Sequence, residues 1–229
     1  SESVGITCAG QADDGMPLER GVFLASGVDG SLPVDAAVSA ATRLGVELTA
    51  LHAAPVAEDY SGPVLFEGEA AAQLVYELLG ESLSGTPSSG ANDALDSPLA
   101  RRLGKRVLPR GLSVIDDPTL TSFAGAPLLG HYAVDDEGIA AERTVLIDDG
   151  RLKSFLMSRT PREGLVHSNG HGRSGLVGWA RGQIANLIMT GKGGLSKRAL
   201  RARFLDAVRD EGADYGLVVD ALDVLDRLA

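Results

Sequence analysis

The stretch Val145-Leu146-Ile147-Asp148-Asp149-Gly150-Arg151-Leu152 limits the fold of this chain more than any other. An Asp-Gly pair sits between two apolar runs, and Asp-Gly readily supplies the positive φ angles that a two-residue hairpin turn demands. Around it the hydrophobic pattern is that of strands: residues 112–115, 143–147, 152–157 and 184–189 are short apolar runs between turn residues. Earlier in the chain the period is helical. Pro33 and Asp35 open an alanine-rich helix over 34–54 that Pro55 ends, and Ala70, Gln73, Leu74, Glu77 and Leu78 fall at helical spacing in a second helix over 69–82. Short strands are expected at 21–25 and 63–66, a loop at 85–90 and irregular polar chain over 91–106. A third helix over 196–211 has Ser196 as cap and Gly212 as stop, and a strand over 215–219 leads into an amphipathic tail. Helices followed by a run of strands predict an α+β fold with a largely antiparallel sheet and flanking helices. Residues 56–60 read as a hinge, giving domains 1–60 and 61–229.

With 44% hydrophobic and 23% charged residues, the chain can bury a core, which excludes whole-chain disorder. The net charge of -10 argues against a general nucleic-acid binder. That charge is uneven: residues 1–100 carry -13, whereas 101–229 carry +3, with a basic pole over 151–210. Most such runs are solvated faces, although opposite poles also suit a dimer interface. Cys8 is the only cysteine, so no intrachain disulfide forms, which fits a reducing compartment. No apolar run reaches membrane-spanning length. A cytoplasmic location is the expectation, with a removed signal peptide still compatible.

Several blocks, in order, resemble the TldD/PmbA family of peptidase-related proteins. They are Ser61-Gly62-Pro63-Val64-Leu65-Phe66, Val114-Ile115-Asp116-Asp117, Asp135-Asp136-Glu137-Gly138, and Thr144 to Leu152 around the hairpin. Ser168-Asn169-Gly170-His171-Gly172-Arg173 is similar to the family's glycine-rich segment, and Asn186-Leu187 with Gly191 to a later Asn and Pro-Gly region. The resemblance covers residues 61–220, while 1–60 looks like the closing strand and helix of the family's amino-terminal domain. It implies the carboxy-terminal part of a longer protein.

Active members resemble zinc peptidases with a His-Glu-x-x-x-His helix motif and a distant Cys. Neutral imidazoles and a thiolate hold Zn²⁺, and the Glu deprotonates the metal-bound water. Here the matching stretch is Tyr76-Glu77-Leu78-Leu79-Gly80-Glu81. The Glu at the general-base position, Glu77, is retained, whereas the two histidine positions hold Tyr76 and Glu81, and no cysteine follows Cys8. A neutral phenol, with a pKa of about 10, is a poor zinc ligand. The resemblance therefore implies a member without zinc, and no cofactor is expected.

Asp135, Asp136, Glu137, Asn169, His171, Arg173 and Asn186 are the candidates for a substrate loop or a structural loop. Clustered carboxylates can bind a cation or share a catalytic proton, but turns also prefer Asp and Gly. His167 and His171 flank Ser168-Asn169-Gly170, where hydrogen bonding to glycine-rich backbone competes with metal binding. His131 is read as preceding a strand that leads to Asp135.

Three functions are compatible with these residues. The first, implied by the resemblance, is a catalytically silent subunit in proteolysis or peptide maturation. It would bind peptide as a homodimer, or pair with a metal-bearing paralogue as a heterodimer. The second is a peptidase using another site, such as Glu77 with Glu81, one helical turn apart, or His171 with the acidic cluster. The third, a DNA gyrase-associated role, is what the resemblance implies through the description of family members as gyrase modulators; in these residues only the basic pole supports it, and that pole is poor in stacking aromatics.

Overall fold

The structure is a computed structural model describing residues 2–26, 30–32, 34–55, 59–86, 98–175 and 178–222. Along the chain run β1 (Ser3–Gln11), β2 (Pro17–Ala25), α1 (Val34–His52), β3 (Val64–Phe66) and α2 (Gly68–Leu79), followed by a 3-10 turn at Glu81–Leu83. Then come β4 (Leu112–Asp116), β5 (Ser122–Phe123), β6 (Ala126–Pro127), β7 (Thr144–Asp148), β8 (Arg151–Leu152), β9 (Gly172–Arg173), β10 (Arg181–Gly182) and β11 (Leu187–Gly191). The last elements are α3 (Lys197–Asp210) and β12 (Leu217–Val219). The fold is α+β, and among the described residues every strand pair is antiparallel except β3 with β12.

Two compact units are present, one of residues 1–71 with 201–229, the other of 72–200. In the first, β1 and β2 form a nine-residue hairpin, in register from Ser3 opposite Ala25 to Gln11 opposite Pro17. Helix α1 buries Ala40 and Leu44, and β2 buries Leu18. The parallel pair β3–β12 aligns Leu65 with Val218, and Gly216 lies close against Phe204 and Val208 of α3. Ser196 Oγ accepts the Ala199 N–H at the start of α3, at 3.3 Å. At its end, Gly212 has φ +65° and donates to Arg209 O while Ala213 donates to Val208 O, the paired bonds that close a helix at glycine.

In the second unit a sheet runs in the order β11-β4-β7-β8. Asp149 (φ +45°) and Gly150 (φ +77°) form the two-residue turn between β7 and β8, with Asp148 opposite Arg151. Both central residues have positive φ, as this hairpin class requires. Behind the sheet, Val114, Leu146, Ile147 and Leu152 pack with Leu79, Leu83, Phe155, Leu156 and Met157 in one core. Burying each large apolar side chain contributes about 1.5–3 kcal/mol.

Four expectations need correction. The run over 152–157 does not continue as a strand: β8 stops at Leu152, and 155–158 is buried, irregular chain. The strand expected over 184–189 begins later, at Leu187, because a carboxylate takes the N–H groups of Ala185 and Asn186. His131 is followed by no strand; Val134 makes only an isolated bridge to Ala140. The helix expected over 69–82 ends at Leu79 and tightens into the 3-10 turn. The remainder of the expected loop (87–90), part of the irregular stretch (91–97), part of the hinge (56–58) and most of the tail (223–229) lie outside the described residues.

Candidate functional site

The helix that the family resemblance marks for zinc carries Tyr76 and Glu77 in its last turn, and Glu81 on the 3-10 turn beyond. Tyr76 is half-buried, whereas Glu77 and Glu81 are exposed. Gln73 Nε2 donates to Glu77 Oε1 at 2.9 Å, so the carboxylate lies along the helix surface. Gly80 keeps right-handed helical angles, φ -49° and ψ -64°, and packs so closely that a Cβ there would press on Tyr76 O. A phenol and a carboxylate at the two ligand positions do not make a zinc donor set. Among the described residues, no group of three or more His, Cys, Asp or Glu side chains is arranged to hold a metal.

The loop candidates, by contrast, are drawn into one buried polar network. It starts at the end of β4, where Asp116 is fully buried and accepts from Ala185 N (3.2 Å) and Asn186 N (3.1 Å). His171, also fully buried, places Nε2 3.2 Å from Asp116 Oδ1. Its Nδ1 faces Asn169 O at 2.9 Å and Asn169 Oδ1 at 3.0 Å. Asn169 reaches the irregular core segment: its Oδ1 accepts from Met157 N and its Nδ2 donates to Phe155 O, both at 2.8 Å. Asn186 donates through Nδ2 to Asp117 O (2.9 Å) and Leu120 O (3.2 Å), and accepts from Gly130 N at 3.1 Å.

The acidic turn belongs to the same network. Asp135 Oδ1 accepts from Glu137 N and Ile139 N, closing its own turn, while Oδ2 accepts from Gly172 N at 2.9 Å. Asp136 Oδ2 accepts from Ser174 N at 2.7 Å and lies 3.2 Å from Arg173 Nε. The backbone hydrogen bond from Ser174 is the main cause of an Asp136 carboxyl held below its usual range, with the Arg173 charge adding to it. Glu137 Oε2 accepts from Arg159 N at 2.6 Å. Arg173 stacks over the Tyr132 ring, 4.4 Å from its centre, and Tyr132 donates to Gly170 O at 3.0 Å. Burial is the largest cause pushing the Tyr132 phenol up to about 12, with Asp116 and Asp135 adding to it against Arg173.

All seven loop candidates therefore meet, and most of their polar atoms hold backbone. Gly172 is pressed between the Asp135 and Glu137 carboxylates, with no room for a Cβ. His167, the other loop histidine, is exposed. Sequence reasoning missed Asp116 as the anchor, although Val114-Ile115-Asp116-Asp117 carried the signal: a carboxylate directly following a buried apolar strand. It also missed Tyr132, whose phenol and ring hold the glycine-rich loop.

By fold, the chain is similar to TldE from Thermococcus kodakarensis, with a TM-score of 0.61 at 18% identity over 96% of this chain and 45% of that one. A Thermotoga maritima structure, described as a proposed modulator of a DNA gyrase, gives a TM-score of 0.60 at 20% identity over 88% of this chain and 42% of that one. These likenesses define the class as a TldE-like α+β domain. In sequence, a metalloprotease from Archaeoglobus fulgidus is 42% identical over 76 residues, 33% of this chain and 16% of the relative. Metalloprotease PmbA from Escherichia coli O157:H7 is 33% identical over 119 residues, 51% of this chain and 24% of the relative. The profile of the PmbA/TldA metallopeptidase C-terminal domain matches residues 59–221, and the chain belongs to that family. It spans under half of either solved structure, and the matched segment is no more than 24% of either sequence relative.

Proposed function

We propose that this chain is a zinc-free, catalytically silent TldD/PmbA-type subunit that holds peptide, alone as a homodimer or beside a metal-bearing paralogue, in proteolysis or peptide maturation. A single observation carries the reading: the two helix positions that need imidazoles hold Tyr76 and Glu81. Catalysis by a zinc-bound hydroxide requires a metal grip before Glu77 has a water to deprotonate. Glu77 itself is exposed and hydrogen-bonded to Gln73. Residues 1–60 are proposed as the end of a preceding domain, and the compartment as cytoplasmic, where Cys8 would stay a thiol. Among the described residues no helix is long and apolar enough to cross a membrane.

Elemental analysis of untagged protein is the first test, and substoichiometric zinc is the expected result. The second is peptidase assay of the chain alone, then mixed with a metal-bearing paralogue. Activity is expected only in the mixture, and unchanged by Glu77→Gln in this chain. Stoichiometric zinc, or activity of the lone chain that Glu77→Gln removes, would reject the silent-subunit reading.

A further inference from the structure

His171 is fully buried, and both of its ring nitrogens face oxygen. Nδ1 lies 2.9 Å from Asn169 O and 3.0 Å from Asn169 Oδ1. The second contact is with the amide oxygen and not the nitrogen, because the same side chain accepts from Met157 N and donates to Phe155 O. Across the ring, Nε2 lies 3.2 Å from Asp116 Oδ1. A neutral imidazole has one N–H and one bare nitrogen. Either tautomer therefore sets a lone pair against oxygen, at Asn169 or at Asp116. Only a ring with a proton on each nitrogen donates to both sides.

The remaining arrangement puts the second proton on Asp116 and leaves Nε2 as the acceptor. Backbone opposes it: Ala185 N donates to both Asp116 oxygens and Asn186 N to Oδ1, bonds that favour the carboxylate. A fully buried carboxylate needs a countercharge, and the neighbouring segments offer none besides the ring. Arg173 pairs with Asp136, Arg181 on β10 is exposed, and His131 is exposed with its Nδ1 at Pro118 O. Tyr132 is neutral at ordinary pH, since burial above all pushes its phenol up to about 12. The acids beside the ring favour a cation there: Asp135 accepts from Gly172 N, and the Glu137 carboxylate packs on Gly172. Asp117, next to Asp116, accepts from Thr119. The segments 155–158 and 183–186 contain no titratable side chain.

We infer that His171 is a buried imidazolium ion-paired to Asp116, and that the pair is a pH-sensitive lock on an adjoining polar cavity. That cavity, of about 260 Å³, is lined by Tyr132, Arg173, Gln183 and Ala185 among others. His171 O accepts from Gln183 N at 3.0 Å while Asp116 holds Ala185 N, so the two partners fix neighbouring parts of one wall. Opening the wall exposes the ring, which above about pH 6.5 gives up its proton to water. The closed state then binds one proton more than the open state, and its stability falls as pH rises.

Nitrogen NMR of the full chain, labelled at histidine, tests the charge state at about pH 8, where an ordinary imidazole is about 97% neutral. One of the four rings is expected to show two protonated nitrogens close together in shift. His52→Gln, His131→Gln and His167→Gln combined remove the three exposed rings and should leave that signal alone. Four neutral rings, each with one bare nitrogen, would overturn the inference. Asp116→Asn should return His171 to the neutral pattern, and a ring still doubly protonated without the carboxylate would overturn the pairing. The lock is read from hydrogen exchange of the Gln183 and Ala185 amides, corrected for the intrinsic effect of pH. Their protection should fall about tenfold between about pH 7 and about pH 8, the linkage of one proton. Protection unchanged over that interval would overturn the lock.

Discussion

Asn169 works as a short stretch of neighbouring strand made from one side chain. Its amide accepts from Met157 N and donates to Phe155 O, the two bonds a sheet partner would supply to that buried segment. Asn169→Ala should therefore cost about 2 kcal/mol or more, since each buried polar group left unpaired costs about 1–3 kcal/mol. Urea unfolding checks it, and an unchanged midpoint would remove the strand-mimic role. Among the surface carboxylates, Asp149 is held low chiefly by the Gly111 N–H, at 2.8 Å, with Arg106 adding to it. Its folded pKa lies below the unfolded value, so the stabilisation is complete above about pH 4 and is lost as pH falls through the folded value. Asp149→Asn should flatten the decline of the urea midpoint between pH 5 and pH 2, roughly the range over which aspartates protonate. An identical slope in the variant would contradict this account. At this scale, hydrogen bonding to glycine-rich backbone was one of two readings open for His171, whose Nδ1 faces Asn169 O. Neither reading revealed that Asp116, 55 residues away from His171, would be the common anchor, because that pairing exists only after the sheet forms.

Elements built from local signals were legible in the sequence. Ser196 and Gly212 bounded α3 because capping and left-handed closure are decided within a few residues. The Asp149-Gly150 turn set the β7–β8 register for the same reason. Strand β1 escaped notice although Val4, Ile6 and Cys8 alternate inward with Gly5, Thr7 and Ala9, since small residues weaken the apolar contrast of its pattern. The parallel pairing of β3 with β12 joins segments more than 150 residues apart, which no local period encodes. The end of β8 at Leu152 was equally hidden, because the apolar run beyond it shares its backbone bonds between side chains of the glycine-rich segment and the distant main chain at Leu83 and Gly85. Gly150→Ala tests how far the turn governs the hairpin. A Cβ there meets Leu108 O and Pro109 O, and φ +77° is strained for alanine. The left-handed conformation alone costs about 1–2 kcal/mol. Contact with two carbonyl oxygens should raise the total to more than about 2 kcal/mol, and a thermal unfolding midpoint within 1 °C of wild type, well inside the roughly 2–4 °C expected per kcal/mol, would refute it.

For the whole molecule, the question is whether a metal contributes to folding at all. A ligand that binds only the native state stabilises it by RT ln(1 + [L]/Kd), about 2.7 kcal/mol when present at a hundredfold excess over Kd. For a chain of this size that corresponds to a midpoint rise of roughly 5–10 °C. An intact His-His-Cys grip would show such a rise with zinc and a comparable fall with chelator. Here the helix positions are a half-buried phenol and an exposed carboxylate, and the core behind them, Leu79 and Leu83 against Phe155 and Leu156, is closed by apolar contact. The expected outcome of scanning calorimetry is therefore the same midpoint, within 1 °C, in 100 μM zinc, in buffer and in EDTA, against the roughly 5–10 °C a native-state site would give. Scans with a Tyr76→His, Glu81→His double variant add a control, because two imidazoles at those positions restore part of a ligand set and should make the midpoint respond to zinc. A zinc-dependent midpoint in the unaltered chain would mean that other side chains hold the metal, and the silent-subunit reading would fall with it.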